Sequence, residues 1–159
     1  MPDLHIIFTK PNADAGGRRI IGLIDKFVSE HSQRSCSFIS LGQMRYLSAL
    51  KFVDAVVGNS SSGLIEAPSF QIGTINIGDR QKGRLQAANV IQIDPDKNSI
   101  LKGFNILYSE NFKKTLKSVE NPFGMGGVAT KIHQVISEIS LDNILKKKFF
   151  NFSYDSNHL

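Results

Sequence analysis

The sequence predicts an α/β fold, a parallel β-sheet with helices on both faces. Short apolar runs alternate along the chain with longer segments in which apolar residues recur at the period of a helix. Strands that are apolar on both faces and are separated by helices are typical of parallel sheets. The 159 residues suffice for one domain with a substantial core. We expect this domain to span residues 1–145, followed by a tail over 146–159.

The first half of the chain is predicted to contain three strand–helix units. The strands are expected over residues 4–10, 35–40 and 54–58. The helices are expected over residues 18–31 and 43–53 and from a start within 59–63. In the second helix Met44, Leu47 and Leu50 fall on one face, with Tyr46 beside them. This spacing favours a helix with an apolar face.

The second half continues the alternation, and its loops point to one edge of the sheet. Strands are expected over residues 73–79 and 89–94, and helices over 98–107, 110–118 and 128–145. Parallel sheets of this kind bind ligands beyond the carboxyl ends of their strands. The unusual loops that fall at that edge are 11–17, 41–43, 59–63 and 79–84. We therefore expect these loops to converge on one ligand site.

The net charge of +5 does not indicate a nucleic-acid partner. Basic residues are scattered among acidic ones, and the run at 146–148 is interpreted as the solvated end of a helix. No strand or helix interleaves aromatic with basic residues, as nucleic-acid binding would favour. The positive excess instead suits an anionic small molecule.

Cysteine usage and the length of the apolar runs predict a cytoplasmic protein without a membrane partner. Cys36 is the single cysteine, which excludes an intramolecular disulfide, and we expect it to be buried and unreactive. The apolar stretch at the N-terminus is too short for a secretory signal. Nowhere do about 18 apolar residues follow one another.

The stretch GNSSSGLIEAPSF, residues 58–70, carries the strongest chemical signal. A helix that begins within residues 59–63 leaves its first backbone N–H groups unpaired, and these attract anions. Ser60, Ser61 and Ser62 add hydroxyl donors, and the flanking glycines let a phosphate approach the backbone. An ordinary serine N-cap is the alternative, and the sequence leaves it open.

Glu66 and two arginines extend this pattern. A carboxylate near a phosphate cradle repels the anion unless the carboxylate has another partner, and a ribose diol supplies one. The alternative is an acid in the first helical turn that the helix dipole stabilises. Arg80 and Arg84 follow the next strand and suit the charge of a diphosphate. Serines, glutamate and arginines together suggest a nucleotide.

Other chemistries are not indicated by the sequence. It contains neither a Walker A loop nor a G-x-G-x-x-G fingerprint, which argues against ATP hydrolysis and NAD binding. The histidines lie far apart, no Cys/His spacing suits zinc, and no base lies near the serines in sequence. We therefore predict neither a metal nor a cofactor.

Five segments occur in a particular order and spacing: PNADAGG, SLGQMRYLSALK, GNSSSGLIEAPSF, TINIGDRQKGR and NPFGMGGVATKI. In that arrangement they resemble the C-terminal domain of hydrolysing UDP-N-acetylglucosamine 2-epimerases, particularly those that serve the synthesis of sialic-acid-type sugars. The resemblance covers about residues 4–140. It implies a Rossmann-like domain that is the C-terminal half of a GT-B architecture, in which two such domains face each other across a cleft.

The resemblance also implies the roles of individual residues toward a UDP-sugar substrate. Ser60 and Ser61 would bind the diphosphate region, Glu66 would hold the ribose hydroxyls, and Arg80 would complete the UDP site. These four residues are the ones that the chemistry of the loops also selects.

Two further positions enter through the resemblance alone. It implies that Asn12 reaches the nucleotide sugar and that Leu41 contributes backbone contacts to uracil.

The resemblance does not extend to the proton chemistry of the family. There, UDP is eliminated from the sugar to leave an unsaturated intermediate, which water converts to N-acetylmannosamine. Acidic residues of the first domain and a histidine near the start of the second carry out this chemistry, and this chain begins after those positions. We therefore expect no catalytic residue here, and no activity unless the N-terminal domain is supplied.

The sequence leaves open whether the chain is a split gene product whose N-terminal domain is encoded separately, a truncated product or a fragment. A stand-alone nucleotide-sugar-binding or regulatory module is the alternative. We also expect the chain to aggregate or to self-associate, because the GT-B cleft face and the segment FFNFSY, residues 149–154, would otherwise expose apolar surface.

Overall fold

A computed structural model gives the structure of the chain over residues 4–11, 16–124, 126–142 and 144–146. The elements in order are β1 Ile6–Thr9, α1 Gly17–Glu30, β2 Ser35–Phe38, α2 Gly42–Ala49, β3 Ala55–Gly58, α3 Ser62–Ile65, a 3₁₀ helix Ala67–Phe70, β4 Gly73–Ile77, β5 Val90–Ile93, α4 Lys97–Leu107, α5 Glu110–Leu116 and α6 Val128–Glu138. Strand β1 pairs with β2, and β3, β4 and β5 form a second sheet in that order. All of these pairings are parallel, so the predicted α/β class is confirmed.

The chain divides into two compact units. Met1–Phe123 contains the elements from β1 to α5, and Gly124–Leu159 contains α6. The residues from 147 onward lie outside the described part of the chain. The predicted domain end at residue 145 and the tail over 146–159 therefore stay predictions.

One face of the β3–β4–β5 sheet is apolar and packs on α4 and α5. The buried cluster on this face consists of Ile75, Ile91, Ile93, Leu107 and Phe112. Asp96 caps α4, because its carboxylate accepts hydrogen bonds from the N–H groups of Asn98 and Ser99 at 2.9 and 3.0 Å. Gly103 then lets α4 approach the sheet, since a Cβ there would lie 3.2 Å from Ile75 Cγ2.

The opposite face of the same sheet is polar, and α3 packs on it. Thr74 and Asn76 of β4 are each 1% exposed. The Thr74 hydroxyl donates to the carbonyl of Gly63 at 2.8 Å, and the Asn89 side chain donates to the carbonyl of Ile72 at 2.9 Å. Helices thus cover both faces of this sheet, as the sequence predicts.

The β1–β2 pair is covered by α1 on one face. The rings of Phe8 and Phe27 meet edge to face with centroids 5.7 Å apart. Ser35 of β2 is buried, whereas the next residue, Cys36, is exposed, as is Ile7 of β1. The expectation of a buried cysteine is wrong, because successive residues of a strand point to opposite faces and Cys36 lies on the uncovered one.

Helices α2, α5 and α6 are shorter than the sequence predicts, and α5 ends at Leu116 rather than at residue 118. Helix α3, for which the sequence predicts only a start, is also short. Helix α2 ends at Ala49, and Met44 on its surface is 79% exposed. Helix α6 ends at Glu138, because Ile139 adopts an extended backbone with ψ of 130°. Helix α3 is a single turn, followed by a 3₁₀ helix that contains Pro68, whose missing N–H cannot continue an α-helix. None of the helices in the described residues is long and apolar enough to cross a membrane.

Candidate functional site

The serine loop, residues 58–62, leaves the carboxyl end of β3. Gly58 has φ of +145°, a conformation that other residues rarely adopt, so a glycine is needed where the strand turns into the loop. Ser61 is the N-cap residue of α3, but its side chain makes no capping hydrogen bond. Ser60 Oγ accepts a long hydrogen bond of 3.4 Å from the N–H of Ser62. An ordinary serine cap therefore does not account for the three hydroxyls.

Unpaired backbone donors lie at the centre of this loop. The N–H groups of Ser60 and Ser61 donate to no other residue in the described part of the chain. The following donors are paired, since the N–H groups of Gly63 and Leu64 donate to the carbonyls of Ser60 and Ser61 at 3.3 and 3.0 Å. Because α3 is a single turn, any attraction of an anion comes from these individual N–H groups and hydroxyls rather than from a long helix dipole.

Tyr46 of α2 connects that helix to the serine loop. Its hydroxyl is hydrogen-bonded to the hydroxyl of Ser62, sixteen residues further along the chain. Burial raises the pKa of Tyr46, the hydrogen bond with Ser62 opposes this shift, and the nearby Glu66 carboxylate adds to it. Tyr46 therefore contacts the serine loop through Ser62, and its hydroxyl stays protonated at neutral pH.

Glu66 occupies a different position from the one expected for an acid in a first helical turn. It is the C-cap of α3 and the residue before the 3₁₀ helix. Its side chain is half-buried, and its Oε2 atom is buried with no hydrogen-bond partner among the described residues. A buried carboxylate oxygen without a donor is costly, which makes this atom a candidate acceptor for a ligand hydroxyl.

Arg80 and Gln81 follow β4 and contact Asn59 at the start of the serine loop. Arg80 Nη1 lies 3.5 Å from Asn59 Oδ1, at the exposed side of the loop. Gln81 is 2% exposed, and its side-chain amide donates to the Asn59 carbonyl at 2.7 Å. The loop after β4 is thereby joined to the loop after β3 by one exposed contact and one buried contact.

The other residues that the sequence predicts for the site belong to loops other than the serine loop. Leu41 is the half-buried N-cap residue of α2, in the loop after β2. Arg84 lines a small apolar cavity of about 270 Å³ together with Leu64 and Leu85. Asn12 lies outside the described residues. The structure thus gathers Ser60, Ser61 and Arg80 around one loop and places Glu66 at the end of the short helix that follows it.

Two residues of this site, Tyr46 and Gln81, were not predicted as part of it. The sequence places Tyr46 only beside the apolar face of a helix and does not single out Gln81. The available signal for Gln81 was an uncharged amide inside a loop of charged residues. No group of three or more acidic, histidine or cysteine side chains that could hold a metal ion occurs among the described residues.

The fold and the site define the class of protein: a Rossmann-like α/β domain with polar loops at the carboxyl ends of its parallel strands. Within that class, the chain belongs to the UDP-N-acetylglucosamine 2-epimerase family, whose model matches residues 1–137. The architecture is consistent with the GT-B fold of this family.

Curated relatives support the same family. The chain is 41% identical over 152 residues to a GDP/UDP-N,N'-diacetylbacillosamine 2-epimerase (hydrolyzing) of Campylobacter jejuni. This alignment covers 95% of this chain and 39% of the relative. The chain is 44% identical over 117 residues to polysialic acid biosynthesis protein P7 of Escherichia coli, covering 74% of this chain and 29% of that protein. A UDP-N,N'-diacetylbacillosamine 2-epimerase (hydrolyzing) of Legionella pneumophila is 32% identical over 146 residues, 92% of this chain and 37% of the relative. The chain therefore spans about two-fifths or less of the length of these relatives.

Proposed function

We propose that this chain is the UDP-binding part of a hydrolysing UDP-sugar 2-epimerase. The reaction would convert UDP-N-acetylglucosamine, or a related N-acetylated sugar nucleotide, to the epimeric free sugar and UDP. The observation that carries this proposal is the half-buried Glu66 carboxylate, one oxygen of which has no partner among the described residues, in a chain of this family. Glu66 follows the serine loop, in which the N–H groups of Ser60 and Ser61 also have no partner in the described part of the chain.

In this proposal the diphosphate lies on the serine loop. The N–H and hydroxyl groups of Ser60 and Ser61 donate to its oxygens, and the Arg80 guanidinium approaches from the neighbouring loop, where it already lies 3.5 Å from Asn59. Charge accumulates on the diphosphate as the bond to the sugar breaks. Donors that are held in place before the reaction stabilise that charge without having to reorganise.

The nucleoside extends from the diphosphate toward α2. Glu66 Oε2 accepts hydrogen bonds from the ribose hydroxyls, which supplies the partner that the atom lacks within the described residues. Leu41, at the N-terminus of α2, provides backbone contacts to uracil. Asn12 reaches the sugar nucleotide from the loop after β1.

The proton transfers of the reaction need groups that the site residues of this chain do not supply. Epimerisation removes a proton from the sugar carbon on one face and returns one on the other, which requires positioned acids and bases. The curated relatives are much longer than this chain. We propose that this chemistry belongs to an N-terminal domain encoded outside this sequence, and that the assembled protein acts in the cytoplasm.

The nucleotide assignment is tested by calorimetric titration of the 159-residue chain with UDP, CDP, ADP and UDP-N-acetylglucosamine. We expect binding of the two uridine nucleotides and weaker binding of CDP and ADP. Equal affinities for all four ligands would contradict the assignment of uridine. A Ser60→Ala, Ser61→Ala variant is expected to lose affinity for UDP, whereas Ser32→Ala, an exposed serine in the turn after α1, is the matched control and leaves it unchanged.

A further inference from the structure

The strands of the first compact unit form two separate parallel sheets, β1–β2 and β3–β4–β5. The chain runs from β1 to its neighbour β2 in one sheet and from β3 through β4 to β5 in the other. A doubly wound fold has the strand order 3-2-1-4-5-6, in which two such halves run outward from a shared central strand. The two sheets match this order at every position except the central one, which would lie between β1 and β3.

The backbone of β1 has hydrogen-bonding groups on the edge that faces away from β2. The N–H group of Ile6 donates to the carbonyl of Arg34 at 2.9 Å. Two turns of the pleat later, the N–H group of Lys10 donates to the carbonyl of Phe38 at 2.9 Å. Alternate residues of a parallel strand direct their backbone groups at the same neighbour, so those of Ile7 point away from β2. No other strand of the described residues pairs with that edge.

The edge of β3 that faces away from β4 is unpaired in the same way. The N–H group of Gly73 donates to the carbonyl of Asp54 at 3.3 Å, on the side shared with β4. By the same alternation Val56 directs its backbone groups at β4, whereas those of Ala55 and Val57 point away from it. Within the described part of the chain, β3 pairs with β4 alone.

The composition of β1 and β3 is that of strands with neighbours on both sides. Their sequences are IIFT and AVVG, and apolar runs of this kind are usual inside parallel sheets. Strand β2 has the sequence SCSF, in which serine alternates with other residues, and this suits an outer edge. Ile7 and Val57 are nevertheless 47% and 46% exposed. Both strands therefore have the residues of a sheet interior but lack a neighbour.

We propose that the gap between β1 and β3 binds one extended apolar segment, which pairs in parallel with both strands and joins the two sheets. The segment belongs to the part of the protein encoded outside this sequence, an inference that rests on the proposed function. The chain spans 39% of the Campylobacter jejuni relative, so a protein of that length has further chain to supply it. About 5–6 residues, the usual length of a strand, are sufficient.

The test combines the 159-residue chain with the remainder of the Campylobacter jejuni relative, the part that this chain does not match. Amide hydrogen exchange is followed by NMR in the chain alone and in the mixture. The N–H groups of Ile7 and Val57 are expected to exchange rapidly in the chain alone and at least about tenfold more slowly in the mixture. The N–H groups of Phe8 and Val56, which face β2 and β4, are the internal controls and should be protected in both samples.

A pair of proline variants tests the position of the segment. Ile7→Pro removes the N–H group at the gap and places a ring on that edge, so the two polypeptides are expected to associate about tenfold more weakly or worse. Ser37→Pro is the matched control, because the N–H group of Ser37 lies on the outer edge of β2, where proline is tolerated. Its association, measured by calorimetry, should equal that of wild type.

The outcomes separate this proposal from the nucleotide site. Protection of Ile7 and Val57, with a loss of association confined to Ile7→Pro, supports the proposal. Failure to associate, association without protection of these N–H groups, or equal losses for both proline variants overturns it. Protection that grows with the concentration of the chain alone assigns the gap to a second copy and also overturns it. Titration of the wild-type chain with UDP tests the proposed function separately, so the failure of one is distinguished from the failure of the other.

Discussion

Glu66 shows how the surroundings of a single residue decide between two roles. A carboxylate in the first turn of a long helix would be stabilised by the dipole, but Glu66 ends a one-turn helix and has a buried oxygen without a partner among the described residues. This position does not fit the alternative of an acid in a first helical turn, and the contact with ribose stays a prediction. A ligand donor at Oε2 would offset the cost of burying that atom.

Glu66→Gln is expected to weaken UDP binding by about tenfold to a hundredfold. The amide keeps one acceptor oxygen but loses the charge, and a hydrogen bond to a charged group contributes about 1.5–3 kcal/mol. Pyrophosphate makes no ribose contact, so its affinity is expected to stay the same or rise when a nearby negative charge is removed. Both ligands are measured by calorimetry, with Glu30→Gln at the exposed end of α1 as the control. Parallel losses for the two ligands would rule out the ribose contact.

Tyr46→Phe is expected to alter how stability depends on pH. The pKa of Tyr46 is raised above its usual 10.0, chiefly by burial, so the folded chain keeps the phenolic proton longer than the unfolded chain does. The stability that this group contributes is present below pH 10 and is lost as the pH rises through the folded-state pKa. Denaturant titrations from neutral to strongly alkaline pH should show a steeper loss for wild type than for Tyr46→Phe. Parallel curves would contradict this expectation.

At the scale of elements, the position of α3 on β4 determines where the serine loop lies. Gly63 has no side chain, and Thr74 fills the space beside it while donating to its carbonyl at 2.8 Å. A Cβ on residue 63 would lie 2.5 Å from Thr74 Cγ2, closer than packing allows. Because Thr74 is almost fully buried, its side chain has little room to move.

Gly63→Ala is expected to destabilise the fold by about 1–3 kcal/mol, the usual cost of overpacking. Adding Thr74→Ser should recover part of this loss, because serine lacks the clashing methyl group but keeps the hydroxyl. Gly22→Ala is the matched control: it lies in α1 with open space around it and should be neutral or stabilising. Chemical denaturation of wild type, the two single variants Gly63→Ala and Thr74→Ser, and the double variant completes the cycle. Additive effects of Gly63→Ala and Thr74→Ser would show that the two residues do not clash.

At the scale of the whole molecule, the chain exposes many apolar side chains. Helix α6 is amphipathic, and its apolar residues Val128, Ile132, Val135 and Ile136 are all more than half exposed. Exposed apolar patches of this kind often mark interaction surfaces. The aromatic residues 149–154, which also suggested self-association, lie outside the described part of the chain.

We expect the chain to self-associate through the apolar face of α6. The double variant Ile132→Lys, Ile136→Lys should have a lower apparent mass than wild type when measured by light scattering after size-exclusion chromatography. The control variant Thr130→Lys, Ser137→Lys adds the same charge on the opposite side of the helix and should leave the apparent mass unchanged. A monomeric wild-type chain would contradict this prediction.

The isolated chain is expected to bind UDP only weakly and to release no free sugar. With the site open on one side, the dissociation constant for UDP should lie between micromolar and millimolar. This range corresponds to a binding free energy of about −4 to −8 kcal/mol. Turnover is measured by the release of N-acetylmannosamine from UDP-N-acetylglucosamine. Release above that of a Glu66→Ala variant would show that this chain carries its own proton chemistry.

Local patterns in the sequence determined the order and type of most elements. Helical and strand periods depend on neighbouring residues, so the alternation of strands and helices and the turn at Gly58 could be predicted from short segments. The loop that carries Ser60 and Ser61 and the loop that carries Arg80 were predicted to meet, because parallel strands end at one edge.

Tertiary structure alone decided which side chains complete the site. Tyr46 meets Ser62 across 16 residues, and Gln81 meets Asn59 across 22, so these contacts depend on how α2 and β4 pack beside β3 rather than on any local period. The exposure of Cys36 was likewise decided by which face of β2 the first helix covers. Such contacts follow from the register and packing of separate segments, and a periodic pattern within one segment contains no information about either.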